Sequence, residues 1–158
     1  FYVIHYLPQE HCDSLVDKYF DQSLEVARLG CFDVFGHIGY FERYMTKQGF
    51  QARLDLSRWG DKITLLLKTL IDGGRGIEVN TSGIKDGLGC FPSEEIVGLY
   101  RQMGGEIVTV GSDAHCVGDA GRDVKAGYEL LRRAGFEYVT VFSGRKPDFI
   151  KIREDAEI

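Results

Sequence analysis

Long hydrophobic runs are missing from this sequence of 158 residues. No apolar stretch approaches the roughly 20 residues that a helix needs to span a bilayer. The first residues, FYVIHYLPQEH, also lack the basic start and small-residue cleavage site of a secretory signal peptide. These absences predict a cytoplasmic protein without a membrane partner.

Paired cysteines and clustered positive charge are also scarce. The chain has no CxxC pair, which argues against a zinc ribbon or a disulfide framework and predicts free thiols at Cys12, Cys31, Cys90 and Cys116. Lys and Arg number 19 against 24 Asp and Glu, so the formal net charge is −5. Nucleic acid needs many clustered cations, and we expect no nucleic-acid partner. A small anionic ligand stays compatible with this composition, and so does an oligomer.

Strand-like and helix-like segments alternate along the chain. Runs of β-forming residues cover 1–7, 32–39, 76–83, 106–115 and 136–142. Helix-like stretches cover 12–30, 58–74, 92–105 and 121–135, with predicted ends at Gly30, Gly73, Gly104 and Gly135. This alternation predicts βαβ units with a parallel sheet, either open or closed into a barrel. The longer connection at 45–57 is expected to lie over the active-site face of such a fold.

Three of the four histidines follow strand-like runs. His5 closes the first run, His37 closes the second, and His115 closes the fourth together with Asp113. The carboxyl ends of parallel strands open on one face, so these side chains are expected to meet in space. His11 has no such setting and is interpreted as solvated.

Imidazole and carboxylate are ligand types that suit zinc, manganese and iron. In Asp113-Ala114-His115, strand alternation would place both polar side chains on the same side of a small alanine. The alternative for any one of these histidines is a hydrogen-bonded surface or core residue. The repeated position at strand ends favours a metal site.

Several motifs resemble a known family. DVFGHIG, GIEVNTSGIKDG, VTVGSDAHCVGDAG and FEYVTVFSGRKP look like successive C-terminal motifs of the polymerase-and-histidinol-phosphatase (PHP) superfamily, in its histidinol-phosphatase branch. The resemblance implies an α/β fold of one PHP domain over 1–158, a distorted, TIM-like (β/α)7 barrel. It also implies a cluster of two or three divalent metal ions (zinc, manganese or iron).

The activity that this resemblance implies is hydrolysis of L-histidinol phosphate, a small phosphorylated substrate, in histidine biosynthesis. His5, His37, Asp113 and His115 match metal ligands, and Asp113 and His115 would also act in catalysis. Another PHP phosphoesterase acting on nucleotides or nucleic acid is an alternative. A non-catalytic PHP scaffold is a second one.

Two basic residues and one hydroxyl are candidates for binding the substrate. Lys85 stands where the family commonly has an arginine for the phosphate, and Arg43 lies near a second basic position. The alternatives are a solvated turn lysine and an ordinary helix-surface arginine. Ser112 is expected either to touch the substrate or to bond the backbone. Glu78 and Asn80 are expected to support the ligands by hydrogen bonds.

The sequence departs from the family pattern at its start. The opening His-x-His motif, a further early His and a metal-bridging Glu of the family have no counterpart here. We therefore expect a barrel that is incomplete at the N-terminus. The strand before His5 and the loop after it are shorter than in the family, and His5 would be displaced from the cluster if no segments are missing there.

Overall fold

The computed structural model describes residues 9–50 and 53–153, so His5 and the first strand-like run lie outside the described residues. The helices are α1 (Gln9–Leu29), α2 (Glu42–Thr46), α3 (Leu56–Asp72), α4 (Glu94–Gln102) and α5 (Val124–Arg133). The strands are β1 (Val34–Phe35), β2 (Gly76–Asn80), β3 (Val108–Gly111), β4 (Tyr138–Ser143) and β5 (Lys146–Lys151). The fold is therefore mixed α/β, as the alternating pattern predicts.

Strands β1, β2 and β3 form a parallel sheet in that order. Phe35 lies opposite Ile77, and Asn80 lies opposite Gly111. Helix α3 connects β1 to β2 and helix α4 connects β2 to β3. The predicted βαβ units are confirmed for these three strands.

The fifth strand-like run does not extend this ladder. Strand β4 pairs with β5 in an antiparallel hairpin that forms a separate sheet, which corrects the expectation that every run joins one parallel sheet. Gly144 and Arg145 link the two strands with φ angles of 55° and 63°. Two central residues with positive φ make a tight hairpin turn, and such a turn reverses the chain at once. The hairpin meets β3 where the Val108 N–H donates to Thr140 Oγ1 at 3.1 Å.

Helix α3 supplies much of the core. Asp55 caps its first turn by accepting the Arg58 N–H at 2.9 Å, so the helix begins where the backbone donors find an acceptor. The buried residues then recur at helical spacing, at Trp59, Ile63, Leu66, Leu67 and Leu70. The Trp59 ring packs on Phe20 of α1 at 6.3 Å between ring centroids. This packing holds α1 and α3 together beside the sheet.

Helix ends follow the glycine pattern with one correction. Gly30, Gly104 and Gly135 have positive φ after α1, α4 and α5, as predicted. After α3 the left-handed residue is Gly74, with φ 65°, whereas Gly73 has φ −85° and still belongs to the last turn. The short helix α2 was not predicted, because five residues are too few to show a period.

The remaining expectations about the fold concern thiols, membranes and the connection at 45–57. All four cysteines are free. No helix in the described part of the chain is long and apolar enough to cross a membrane. Within the connection, Met45 and Leu54 are buried, so two of its described residues are packed into the core.

Candidate active site

The loops that follow β1, β2 and β3 leave the sheet at one edge. His37 comes two residues after the end of β1, Ser82 two residues after β2, and Asp113 two residues after β3. The strands are parallel and in register, so these loops emerge side by side. Three parts of the chain that are far apart in sequence therefore share this edge.

The backbone at this edge is unusual at two of the predicted ligands. His37 has φ 33° and Asp113 has φ 51°. Positive φ in a residue other than glycine carries a strain of order 1–3 kcal/mol, and such residues persist only where their surroundings hold them. Strained residues cluster at functional sites, so their occurrence at equivalent positions after β1 and β3 supports a functional edge.

Glu78 of β2 joins the loop after β1 to the end of its own strand. Its Oε2 accepts the His37 backbone N–H at 3.0 Å and the Asn80 Nδ2–H at 3.2 Å. Asn80 is fully buried and Glu78 is half-buried. Both residues support the site edge by hydrogen bonds, as the strand alternation predicts.

Asp113 and His115 lie together after β3. Nδ1 of His115 is 2.8 Å from the Asp113 carbonyl oxygen, which can only accept, so in the neutral ring Nδ1 carries the proton. Nε2 then presents its lone pair, the form in which histidine binds a metal. The His115 side chain is 82% exposed, so the ring is open to a ligand.

The described residues do not gather a complete set of metal ligands. Across 9–50 and 53–153, no group of three or more His, Cys, Asp or Glu side chains is arranged to hold a metal ion. His5 is outside these ranges. The metal site at His5, His37, Asp113 and His115 thus stays a prediction.

Two tyrosines lie near the predicted ligands: Tyr40, in the loop after β1, is beside His37, and Tyr44, in α2, is near Asp113. The Tyr40 ring lies 4.9 Å from the His37 ring and 5.7 Å from the Tyr44 ring, between centroids. Hydrogen bonding to Tyr40 raises the pKa of Tyr44, and burial and the nearby Asp113 carboxylate add to the rise. Sequence reasoning missed both tyrosines. Their signal is the aromatic spacing in GHIGYFERY.

Arg43 is buried, in contrast to the alternative of an exposed helix cation. Its Nη1 donates to the Tyr40 hydroxyl at 2.6 Å, its Nη2 donates to the Ser82 carbonyl, and its Nε lies 2.8 Å from Asp86 Oδ2. The guanidinium also lies over the Tyr40 ring, at 4.8 Å from its centroid. Arg43 therefore ties helix α2 to the loop after β2.

Lys85 and Ser112 lie in the loops after β2 and β3. Lys85 Nζ is 3.3 Å from Asp119 Oδ2, and Asp119 Oδ1 is 2.7 Å from Arg122. The hydrogen bond from Lys85 lowers the pKa of Asp119, and the charge of Arg122 lowers it further. Desolvation acts in the opposite direction, but the pKa still lies below its usual value. Ser112 Oγ accepts the Gly121 N–H at 3.1 Å, which fits the backbone role predicted as one of its two alternatives.

Glu42 of α2 binds the segment that precedes α3. Its carboxylate accepts the Leu54 N–H at 2.9 Å, and the residue is only 8% exposed. Burial raises the pKa of Glu42 to about 7, although the bond from Leu54 and the charge of Arg53 act in the opposite direction. The Tyr19 hydroxyl accepts the Gly39 N–H nearby at 3.2 Å. These bonds fasten the loop after β1 to α1 and to the start of α3.

Comparisons with known proteins agree with the motifs. A probable histidinol-phosphatase of Thermotoga maritima is 33% identical over 141 residues, which are 89% of this chain and 57% of that protein. A histidinol-phosphatase of Lactococcus lactis subsp. lactis is 26% identical over 129 residues, 76% of this chain and 47% of that protein. The chain is similar to these histidinol-phosphatases over most of its length. It spans about half the length of the relatives it matches.

A solved structure shares the fold of this chain. Histidinol phosphate phosphatase from Lactococcus lactis subsp. lactis, complexed with zinc, L-histidinol and phosphate, superposes with a TM-score of 0.71 at 22% identity. The match covers 84% of this chain and 50% of that one. No family model matches the sequence.

Replacement of Glu42 by glutamine should remove a pH dependence of stability. The unfolded carboxyl titrates near 4.5 and the folded one near 7, so the folded state binds the proton more tightly. The free energy of unfolding should therefore fall as pH rises through this window, by up to about 3 kcal/mol at about 1.4 kcal/mol per unit. Denaturant unfolding at several pH values measures this, and Glu42→Gln should lack the fall. Glu25→Gln, at an exposed site on α1, should keep it; an equal fall in Glu42→Gln would contradict the assignment.

Proposed function

We propose that this chain forms part of the active site of a metal-dependent phosphomonoesterase that hydrolyses L-histidinol phosphate to L-histidinol and phosphate, a step of histidine biosynthesis. The observation that carries the proposal is the placement of His37, Asp113 and His115 at one sheet edge in a relative of histidinol-phosphatases. The zinc, L-histidinol and phosphate of the Lactococcus complex fit the same chemistry.

The proposed architecture is the C-terminal portion of a distorted (β/α)7 barrel. The parallel order of β1, β2 and β3 is compatible with a barrel segment, and the motifs follow the C-terminal order of the PHP superfamily. In barrels of this kind the active site lies at the carboxyl ends of the strands. The edge that carries His37 and Asp113 is that end.

The donors present suit a divalent cation in kind. Imidazole and carboxylate bind zinc, manganese and iron, and the orientation of the His115 ring leaves Nε2 free for a ligand. We assign His37, Asp113 and His115, with His5, as the residues that would hold two or three such ions. A bound divalent ion lowers the pKa of water and neutralises phosphoryl oxygens.

The cation proposed to receive the phosphate is Lys85. Its side chain is 42% exposed and its ion pair with Asp119 is a surface contact, so an anion can compete for it at little cost. Arg43 is the second proposed phosphate contact, and it would have to give up internal bonds to serve. Ser112 would act by shaping the loop that presents Asp113.

Hydrolysis of histidinol phosphate by the full chain tests the proposed function. We expect release of phosphate that stops with EDTA and returns with Zn²⁺ or Mn²⁺, because the ions supply the hydrolytic chemistry. A short single-stranded oligonucleotide serves as the alternative substrate. Preference for the oligonucleotide would support another PHP phosphoesterase, and neither activity nor bound metal would support a scaffold.

Removal of the Asp113 charge should lower bound metal and turnover together. Asn tolerates left-handed backbone, so Asp113→Asn preserves the loop and removes only the anionic ligand. A lost ligand should cost at least as much as the roughly 10- to 100-fold lost with an outer-shell partner. Metal content and kcat measure both effects. Asp61→Asn, at an exposed position on α3, is the control, and unchanged metal content in Asp113→Asn would remove Asp113 from the site.

Removal of the Lys85 charge should weaken substrate binding. Lys85→Met is expected to raise KM for histidinol phosphate about tenfold, the loss of one charged hydrogen bond, with a smaller change in kcat. Lys68→Met removes a lysine that pairs with Asp72 on the exposed side of α3, and it should leave KM unchanged. Equal KM values in the two variants would exclude Lys85 as the phosphate contact.

A further inference from the structure

The Glu78 carboxylate occupies a slot that two glycines leave open. A Cβ at Gly111 would overlap Glu78 Oε1, and a Cβ at Gly36 would lie 3.5 Å from Oε2. Gly36 follows β1 and Gly111 ends β3, so the carboxylate reaches both neighbours of its own strand. A side chain at Gly111 would push the carboxylate out of this place.

The orientation of the carboxylate is set by buried bonds. Asn80 Oδ1 accepts the Ser82 N–H at 3.0 Å and the Ser82 hydroxyl at 2.6 Å. Since both of these groups donate, the oxygen of the Asn80 amide must face Ser82 and its Nδ2 must face Glu78. The Nδ2–H thus points at Glu78 Oε2 and holds that atom beside the His37 N–H.

The bond to His37 acts where the backbone is strained. A backbone N–H that donates to a carboxylate makes a charge-assisted bond, which is stronger than a neutral one. His37 has φ 33° and an exposed side chain, and its ring contacts the Tyr40 ring, so the place of the imidazole depends on how the backbone is held. The Glu78 bond supplies that hold from the adjacent strand.

We propose that Glu78 is a positioning residue that fixes the backbone of His37, and through it the imidazole, opposite Asp113. Glu78 does so from the slot between Gly36 and Gly111, and it acts through His37 without touching the substrate. The inference rests on the proposed function for its catalytic consequence. The structural part of the inference, that Glu78 holds the His37 N–H, does not depend on that function.

Amide hydrogen exchange in the full chain tests the structural part. In Glu78→Ala we expect exchange at the His37 N–H to accelerate about tenfold or more, the effect of losing one charge-assisted bond. Glu78→Gln retains a carbonyl acceptor and should restore most of the protection. Gly111→Ala should reproduce the acceleration by displacing the carboxylate, and Glu25→Gln should have none. Unchanged exchange at His37 in both Glu78→Ala and Gly111→Ala would overturn the proposal.

Kinetics of the same variants test the catalytic part. If His37 is no longer held in place, kcat for histidinol phosphate should fall about tenfold in Glu78→Ala, while KM changes much less. Glu78→Gln should restore kcat. A kcat equal to that of the unaltered chain would overturn the positioning role. Absence of turnover in the unaltered chain would instead refute the proposed function, and hydrogen exchange would still decide whether Glu78 holds His37.

Discussion

The parallel register of β1, β2 and β3 is the constraint on which the candidate site depends. Glu78 and Asn80 project to the side of β2 opposite to Ile77 and Val79, because side chains alternate along a strand. A slip of one residue would reverse these faces and bury the wrong set. Ile77 and Val79 are fully buried, so the apolar core resists such a slip. The hydrophobic effect on one face thereby fixes the polar bonds on the other.

At the site edge, hydrogen bonds offset the backbone strain of two residues. Left-handed backbone at His37 and Asp113 is unfavourable for residues that carry a side chain. At His37 the neighbouring strand offsets this with the bond to Glu78. At Asp113 the following loop contributes, since its carbonyl binds the His115 ring. The edge is held by contacts between segments that are distant in sequence, and this is what makes its geometry specific.

Local patterns were sufficient for the elements and for the approximate site. The β-forming runs ending at His37 and Asp113 and the alternation with helices placed these residues at one edge of a parallel sheet. The β4–β5 hairpin escaped prediction because it depends on positive φ at Arg145, which the sequence marks only by the adjacent Gly144. The burial of Arg43 escaped it because its partners, Ser82 and Asp86, lie about 40 residues further along the chain. Contacts with residues far along the chain do not change the hydrophobic periodicity from which helices and strands are predicted.

Lys85 and Arg43 differ in the free energy needed to break their present contacts so that each could bind a phosphate. Lys85 makes an exposed ion pair, and such pairs contribute about 0–1 kcal/mol, so an anionic ligand can displace Asp119 easily. Arg43 is buried, its Nη1 and Nη2 donate hydrogen bonds and its Nε forms an ion pair with Asp86, and breaking a buried charged pair costs about 3–5 kcal/mol. The contact between Arg43 and a phosphate would have to offset that cost. Of the two cations proposed to contact phosphate, Lys85 is therefore the more accessible, while Arg43 keeps the loop that carries Lys85 joined to the helix that follows His37.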